Sequence, residues 1–304
     1  MHREDVPAAA PSRISVLRNN ELVPLLTSRQ PGGPIIQPWR DVLLEQHSVR
    51  PSEIPEHEHH ELCMHLQLTG NANFEWWSAG RNGIEKTAPG SLILIPPGTR
   101  DRLRWQGASD RLILSVRPGA LRRKAEELDS AGDIEFANRW SLHDAPLTNL
   151  LTEMGREASA GWPLGALYAN LLETSLTSHL LQRHAANPVR IPSIKGKLPM
   201  PRLRSAFEFI ADNLHRDLTL DDIAKHLALS PFHFAREFRN TTGQTPYQYV
   251  LDQRIARAKQ LLKLRTHSVQ EVTYETGFQS PAHFVRAFHQ RVGTTPGAWR
   301  EGSM

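Results

Sequence analysis

The spacing of apolar residues divides the chain into three regions. Up to about residue 118, apolar residues occur in short alternating or continuous runs that end at turn residues. This pattern predicts β-strands at Leu62–Leu68, Phe74–Trp77, Gly90–Ile95 and Arg111–Val116. Many short strands at regular spacing predict a small barrel or jelly roll. Because adjacent residues on a strand point to opposite faces, we expect Trp76 and Trp77 to do so.

The second region, residues 119–186, has helical spacing. Two apolar stripes predict two antiparallel helices packed on the barrel. The first stripe contains Leu147, Leu150, Leu151, Met154 and Ala158, and the second contains Leu164, Leu167, Tyr168, Leu171, Leu172, Leu176 and Leu180. Their remaining apolar surface either packs within the chain or pairs with a second subunit, and the sequence leaves both open. The prolines and basic residues of 187–200 then predict a semi-rigid linker.

The third region, residues 201–300, contains one motif twice. Ser-Pro-x-His-Phe-x-Arg-x-Phe begins at Ser230 and again at Ser280, and Gly-x-Thr-Pro follows both copies at the same distance. Serine as N-cap with proline at the first helical position starts a helix. A shorter helix is predicted before each copy, because Thr219 and Ser268 have an acidic residue three positions later, as in a capping box. Two helix-turn-helix units follow from this arrangement.

Two further helices frame these units. The first is predicted at Met200–His215, with Leu203, Phe207, Ile210 and Leu214 facing inward. The second is a long helix that starts at Thr245-Pro246, ends near Leu264 and packs both units onto itself through Tyr249, Ile255, Ala258, Leu261 and Leu262.

The helix that follows each Ser-Pro has two different faces. One face carries the phenylalanines expected in the core, namely Phe234, Phe238, Phe284 and Phe288. The opposite face carries Arg236 or Arg286 among small or flat side chains, which suits a DNA major groove, where arginine binds guanine and apolar groups touch the thymine methyl. A solvated helix face has a similar composition, but two matching copies favour DNA binding. We expect His233 and His283, on the flank, to pack rather than to contact bases.

Residues 201–300 resemble the AraC/XylS family of bacterial transcriptional regulators. The resemblance implies that the second helix of each unit enters successive major-groove segments on one face of operator DNA, about 34 Å apart. The implied DNA-contacting residues are Ser230, Phe232, Ala235, Arg236 and Arg239 in the first unit, and Ser280, Pro281, Ala282, Val285 and Arg286 in the second. Many relatives have polar residues at Pro281 and Ala282, so the second unit is expected to depend more on shape and phosphate contacts. The resemblance also implies a homodimer, contact with RNA polymerase and, by family habit, activation rather than repression.

The barrel region resembles a cupin, the usual sensor domain of this family. The resemblance rests on His57-Glu58-His59-His60-Glu61 and on Gly90–Gly98. A metal-binding cupin has a glutamate where this chain has Cys63 or Met64, and a histidine where it has Asp101. We therefore expect no metal or cofactor, with His57, His59 and Asp101 as weak metal candidates. A small organic effector is expected at the barrel mouth, bound by His57, His59, Glu61, Trp76 and Asp101. Alternatively, the histidines form a solvated strand start.

Charge and composition refine this interpretation. The chain has 304 residues with 36 Lys and Arg against 32 Asp and Glu. Residues 199–304 contain 14 basic and 10 acidic residues, whereas the remainder contains 22 of each. The whole surplus of positive charge therefore lies in the region that contains the repeated motif, which is favourable for binding a phosphate-rich partner. The single cysteine excludes an internal disulfide and a cysteine-rich zinc site. The chain has neither a signal-peptide pattern nor a bilayer-spanning apolar run, which predicts a cytoplasmic protein without membrane contact, associated with the bacterial nucleoid.

The sequence therefore predicts an α+β protein of two domains. Its expected parts are a flexible N-terminus (1–13), a cupin-like effector-binding barrel (14–118), a helical dimerisation segment (119–186), a linker (187–200) and a DNA-binding domain with two helix-turn-helix units (201–300). The predicted function is effector-controlled, sequence-specific binding of double-stranded promoter DNA, without enzymatic activity. The alternatives are a metal-dependent cupin enzyme with an accessory DNA-binding domain, and a constitutive DNA-binding protein that senses nothing.

Overall fold

A computed structural model describes residues 12–26, 38–127, 134–188 and 196–302. The predicted N-terminal segment lies almost entirely outside these ranges, as does the centre of the predicted linker. The chain forms two compact units: one comprises Met1–Ser159 and Ser175–Arg190, and the other comprises Ala160–Thr174 and Ile191–Met304. Each unit has its own apolar core.

The first unit is built on two antiparallel sheets. Its strands are β1 Ser15–Arg18, β2 Glu21–Pro24, β3 Val42–Val49, β4 Ser52–Glu58, β5 Leu62–Gln67, β6 Ala72–Ser78, β7 Arg81–Thr87, β8 Leu92–Ile95, β9 Arg100–Trp105, β10 Ser109–Val116 and β11 Arg139–Leu142. One sheet has the order β2-β1-β4-β9-β6-β7 and the other the order β11-β8-β5-β10-β3. Inward-facing residues of both sheets share one core, for example Ile54 and Phe74 of the first sheet with Ile93 and Ile113 of the second.

The four strands predicted from the sequence are present, with ends shifted by up to two residues. Trp76 and Trp77 point to opposite faces as expected. Trp76 lies in the core and stacks on Trp140 of β11 at 5.0 Å, whereas the half-buried Trp77 carries the Arg102 guanidinium 4.0 Å above its ring. Gly83 of β7 is opposite Trp76, and a Cβ atom there would lie 2.7 Å from the indole ring. The glycine therefore makes room for the buried tryptophan.

Helix α1 Pro118–Glu127 lies between β10 and β11, and two further helices, α2 Ala145–Ser159 and α3 Gly165–Arg183, follow β11. The division between the two units falls within α3, after Thr174. The stripe predicted for α2 is buried at Leu147, Leu151, Met154 and Ala158, and half-buried at Leu150. A Cβ atom at Gly155 would lie 3.0 Å from the Leu112 side chain, which shows how closely α2 packs against β10.

The second unit contains the predicted helical domain. Its remaining helices are α4 Met200–Asp212, α5 Leu220–His226, α6 Pro231–Thr242, α7 Pro246–Leu264, α8 Val269–Glu275, α9 Pro281–Val292 and α10 Pro296–Gly302. Capping boxes at Thr219, Thr245 and Ser268 start α5, α7 and α8. The strands followed by helices confirm the α+β class. No helix in the described part of the chain combines the length and apolarity that a membrane crossing requires.

Helix α7 joins the two helix-turn-helix units as predicted. Its Val250 packs in the core of the first helix-turn-helix unit with Phe234 and Phe238. Ile255 and Ala258 of the same helix pack in the core of the second helix-turn-helix unit. No sequence pattern indicated the role of Arg254 on this helix. It is buried, and its guanidinium donates hydrogen bonds to two backbone carbonyls of the segment after α4, at Leu214 (3.2 Å) and Arg216 (2.8 Å). One side chain thus fixes the segment after α4 to α7.

Candidate functional site

Helices α6 and α9 are the two candidate DNA-recognition helices. Each begins with a serine N-cap and a proline at the first helical position, as predicted. The Ser230 hydroxyl oxygen accepts the His233 N–H at 3.3 Å, and that of Ser280 accepts the His283 N–H at 3.2 Å. Each helix ends at a left-handed glycine, Gly243 or Gly293. The two helices therefore have the same length and the same start and end signals.

The phenylalanine stripes of both helices are fully buried, so the opposite faces point away from the core. On α9 the predicted contact residues Pro281, Ala282, Val285 and Arg286 are all exposed. On α6, Arg239 is exposed, whereas Phe232, Ala235 and Arg236 are half-buried. The second helix thus presents the more accessible surface, although its side chains there are mostly apolar. It has one cation, Arg286, among three apolar residues.

The motif histidines are placed differently in the two copies. His283 is buried, contacts the Phe278 ring edge-on at a centroid distance of 5.2 Å and bonds to the backbone of Pro163. Burial, reinforced by the positive charges of Arg254 and Arg286, lowers the His283 pKa to about 4, so the ring is neutral near pH 7. The packing role expected for this histidine is what the structure shows. His233 is half-buried.

In the first unit, His57, His59 and Asp101 converge inside the barrel; we call them the barrel cluster. His57 Nε2 lies 3.1 Å from His59 Nε2 and 3.6 Å from Asp101 Oδ1, and His59 Nε2 lies 3.3 Å from Asp101 Oδ2. All three residues are buried. His57 on β4 is directly opposite Asp101 on β9. His57, His59 and Asp101, which the sequence analysis grouped as candidate ligands, are therefore neighbours in the structure.

A β-bulge turns His57 inward. Between Ile54 and His57, three steps along β4 correspond to two along β9, from Leu103 to Asp101. In a regular strand, Glu56 rather than His57 would share the inward face of Ile54. Here Glu56 is exposed and His57 is buried. The extra residue thus determines which side chain enters the barrel.

The barrel cluster has unused hydrogen-bonding capacity. Both carboxylate oxygens of Asp101 are buried without a hydrogen-bond partner, and such groups are costly unless something binds them. His57 Nδ1 lies 2.9 Å from the Pro55 carbonyl, to which it can only donate, so the neutral ring has its lone pair on Nε2, facing the cluster. Burial lowers the pKa of His57, with Asp101 opposing the shift, which favours that neutral form.

Histidine nitrogens and a carboxylate fit a divalent metal with three protein ligands. Where the cupin resemblance leads us to expect a glutamate, Cys63 is buried in the barrel core, and Met64 is buried as well. Burial raises the pKa of the Cys63 thiol, and the negative charge of Asp101 raises it further, so this side chain is a neutral thiol and not a thiolate ligand. The cluster suits a polar ligand with its own hydrogen-bond donors as well as a metal.

The other two predicted effector-binding residues lie in different surroundings. Trp76 is in the barrel core, packed on Trp140. Glu61 immediately precedes β5. Its carboxylate accepts a hydrogen bond from the Ser115 hydroxyl and lies 3.6 Å from the Arg117 guanidinium. Neither Ser115 nor Arg117 belongs to the barrel cluster.

Sequence reasoning missed a buried cation in the barrel. Arg111 on β10 is 1% exposed, stacks on Trp105 at 3.7 Å and donates to Gln67 at 2.7 Å and Ser109 at 3.0 Å. No carboxylate in the described part of the chain forms an ion pair with Arg111. Burial lowers the pKa of its guanidinium to about 9. Both ring nitrogens of the nearby buried His65 lack hydrogen-bond partners. Alternation along β10 offered a signal, because Arg111 shares the face of Ile113.

A cavity of about 450 Å³ opens at one end of the barrel strands. It is lined by Asn71, Ala72, Asn73, Lys86, Thr87, Ala88, Gln106 and Gly107. None of the predicted effector-binding residues is among them. The cavity and the barrel cluster are therefore separate features of this unit.

Comparison with known proteins shows similarity to transcriptional regulators. Residues 223–302 match a family model described as a helix-turn-helix domain. The chain is 28% identical over 246 residues to the uncharacterised HTH-type transcriptional regulator YobQ of Bacillus subtilis, covering 80% of this chain and 88% of that protein. It is 24% identical over 246 residues to the XylDLEGF operon transcriptional activator 1 of Pseudomonas putida, covering 78% and 74%. The DNA-binding domain of AdpA, solved in complex with a target DNA, is 31% identical over 33% of this chain and 90% of that chain, with a TM-score of 0.32.

Proposed function

We propose that this chain is a transcriptional regulator of the AraC/XylS family, which binds promoter operators through α6 and α9 under the control of a small molecule in its barrel. The DNA-recognition residues are those named above, from Ser230 to Arg239 and from Ser280 to Arg286. The observation that carries the proposal is the pair of identically capped helices, each with a buried phenylalanine stripe and an outward arginine. Two such helices on one shared helix suit successive major-groove segments.

The two helices are proposed to contribute unequally. Arg236 and Arg239 give α6 two cations that can make forked hydrogen bonds to guanine or phosphate. Helix α9 offers Arg286 with the exposed apolar residues Pro281, Ala282 and Val285, which can contact thymine methyl groups but cannot hydrogen-bond to base edges. The half-site bound by α6 should therefore be the more strictly specified.

An effector in the barrel is supported by polar groups that lack partners. The Asp101 oxygens and the His65 nitrogens are buried without hydrogen bonds, and Arg111 has no counter-ion among the described residues. A small molecule with a hydroxyl or amine and an acidic group would satisfy all three. We therefore propose a polar, anionic effector, bound near His57, His59 and Asp101 with Trp76 in the adjoining core and Glu61 at the rim.

Control is proposed to occur by a shift in population. Effector binding would favour one of two arrangements of a homodimer and so change operator occupancy or contact with RNA polymerase. We propose residues 119–186 as the dimerisation segment, residues 14–118 as the effector-binding barrel and residues 201–300 as the DNA-binding domain, acting in the bacterial cytoplasm at the nucleoid. The large apolar residues that are exposed include none from 147–181, so a dimer there would use half-buried positions such as Leu150 and Leu171.

Selection of bound DNA from a random pool by the full-length protein tests DNA recognition. We expect an enriched motif with two half-sites about one helical turn apart, bound with a marked dependence on salt. The doubly substituted Arg236→Ala and Arg286→Ala protein should enrich no motif and retain only weak salt-sensitive binding. Enrichment of the same motif by this variant would contradict the assignment of α6 and α9.

Effector control requires a separate measurement. A panel of small carboxylic acids and their neutral amides is tested for a rise in melting temperature and for a change in operator affinity. We expect acids to act and amides to fail, because only the acids supply a counter-ion for Arg111. Failure of every acid would leave constitutive DNA binding as the better account. Stoichiometric iron, manganese or zinc that disappears on removal of His57 and His59 would instead favour a metal-dependent barrel.

A further inference from the structure

Three side chains outside both sites converge at the start of α2. Asp144 Oδ2 accepts hydrogen bonds from His179 Nε2 at 2.7 Å and from His184 Nε2 at 2.8 Å. The side chains are 13%, 17% and 11% exposed, respectively, so the group is largely buried but can be reached from solvent. We call these three residues the helical cluster. It lies wholly within the first unit.

The fold holds each member of the helical cluster in place. Asp144 precedes α2, and its Oδ1 accepts the Leu147 N–H at 2.9 Å, which leaves Oδ2 for the histidines. His179 is on the last part of α3, and His184 follows the helix directly. The chain after His184 is fixed by a β-bridge between Ala185 and Phe136. The cluster is therefore organised by backbone interactions and does not depend on side-chain contacts alone.

The donor atoms suit a transition metal. Two imidazole nitrogens and one carboxylate oxygen form a three-ligand set that zinc uses with a water in the fourth position. The three ligand atoms lie within 4.8 Å of one another. Zinc bonds of about 2.0–2.1 Å in tetrahedral geometry place ligand atoms about 3.3 Å apart, so each N–O separation would lengthen by about half an ångström. Rotation of the side chains is sufficient for this change.

The surroundings of Asp144 support this chemistry. An aspartate carboxyl group is ionised at neutral pH, so Asp144 can coordinate a cation through Oδ2. The Leu147 N–H on the other oxygen is the kind of outer hydrogen bond that orients a metal-binding carboxylate. Calcium and magnesium prefer oxygen ligands, and imidazole favours zinc, nickel or copper.

We propose that Asp144, His179 and His184 bind a divalent transition-metal ion, with zinc as the best match. Each imidazole must present an unprotonated Nε2, so its Nε2 proton is released or replaced by one on Nδ1. Coordinate bonds then replace the two shared hydrogen bonds and tie the start of α2 to the end of α3. His184 lies three residues before the predicted linker, so the metal would fix the chain that leads into it. This is an input independent of an effector in the barrel.

Zinc titration of the full-length, chelator-treated protein tests the proposal. Affinity is measured by competition with a chromophoric chelator, and cobalt absorption reports the coordination geometry. In a His57→Gln, His59→Gln background, which removes the barrel cluster, we expect one equivalent of zinc to bind. Adding His179→Gln and His184→Gln should weaken that binding by on the order of 100-fold or more. The matched control is His143→Gln, an exposed neighbouring histidine, which should bind zinc as before.

Circular dichroism and melting temperature establish that each variant is folded. If the variant lacking both histidines is unfolded, Asp144→Asn is used, because asparagine keeps the helix cap while weakening zinc coordination. The histidine ring ¹⁵N signals of the unaltered protein give a direct second measurement, and Nε2 of His179 and His184 should shift with one equivalent of zinc. Unshifted signals, or zinc affinity that the substitutions leave unchanged, would overturn the proposal.

Discussion

Gly277 lies directly against Leu214: a Cβ atom on Gly277 would be 2.1 Å from the Leu214 carbonyl oxygen. The same carbonyl accepts the hydrogen bond from Arg254 Nε at 3.2 Å. Gly277 also has φ of +78°, a conformation that L side chains rarely adopt. The turn of the second helix-turn-helix unit can therefore approach the segment after α4 only because residue 277 has no side chain.

Gly277→Ala should strongly destabilise the second helix-turn-helix unit. A left-handed backbone costs an alanine about 1–2 kcal/mol, and overlap with a fixed carbonyl adds about 1–3 kcal/mol. Gly293→Ala is the matched control, because Gly293 has φ of +83° but no atom within 4 Å of a Cβ position. Urea unfolding measures both variants. Equal losses of unfolding free energy would show that the close approach to Leu214 is unimportant.

Arg236→Ala and Arg286→Ala should each weaken binding to the selected operator. A base-contacting arginine is expected to contribute about 1–3 kcal/mol and to impose a preference at one position of the site. Binding to random DNA should change much less. Arg122→Ala, an exposed arginine on α1 in the other unit, serves as the control. An equal loss on every DNA sequence would identify phosphate contacts, and a lower melting temperature would identify a structural role.

The buried carboxylate of Glu45 should contribute to stability in a pH-dependent manner. It lies 3.0 Å from His47 Nε2 and accepts hydrogen bonds from the Ser12 hydroxyl at 2.6 Å and the Arg13 N–H at 2.8 Å. Burial opposes the ionisation of Glu45. The hydrogen bonds outweigh burial and lower the pKa of this carboxyl group from 4.5 to about 2. A carboxyl group whose pKa is lowered by folding stabilises the protein above its unfolded pKa, and this contribution disappears as the pH falls through the folded pKa.

Glu45→Gln should therefore lower the free energy of unfolding at pH 7 by up to about 3 kcal/mol. The difference from the unaltered protein should shrink as the pH falls from 4.5 towards 2. Denaturant unfolding across this range measures it. Glu53→Gln is the control, since the Glu53 side chain is 44% exposed and lies 3.6 Å from Arg102. A difference that stays constant with pH would mean that Glu45 acts through packing and not through its charge.

Arg111→Met should separate effector binding from folding. Loss of the hydrogen bonds to Gln67 and Ser109 costs stability, but removal of a buried cation without a counter-ion offsets the loss. We expect a net change of no more than about 2 kcal/mol in either direction. The melting-temperature rise caused by an acidic effector should disappear. Arg104→Met, which removes an exposed arginine paired with Glu75, should leave that rise intact. A large loss of stability on Arg111→Met would show that the arginine is structural.

The sequence predicted the features that depend on interactions within a short segment of the chain. The capping residues and the Ser-Pro starts of α6 and α9 were predicted correctly, as were the phenylalanine stripes and the course of α7. Each depends on hydrogen bonds or apolar spacing within a few residues, so the motif itself contains the information. The alternating strands were equally local. The α+β class followed because the strand-like spacing precedes most of the helical spacing.

Tertiary structure alone decided which distant groups meet. The bulge between Ile54 and His57 turned His57 towards Asp101, and no local pattern specified where an extra residue would enter the ladder. The helical cluster joins Asp144 to histidines 35 and 40 residues away. Arg111 and Gly277 likewise take their significance from partners far along the chain. Sequence by itself determined the local segments and the repeated motif. Packing between segments determined the barrel cluster, the helical cluster and the contact of Gly277, because those depend on strand register and helix placement.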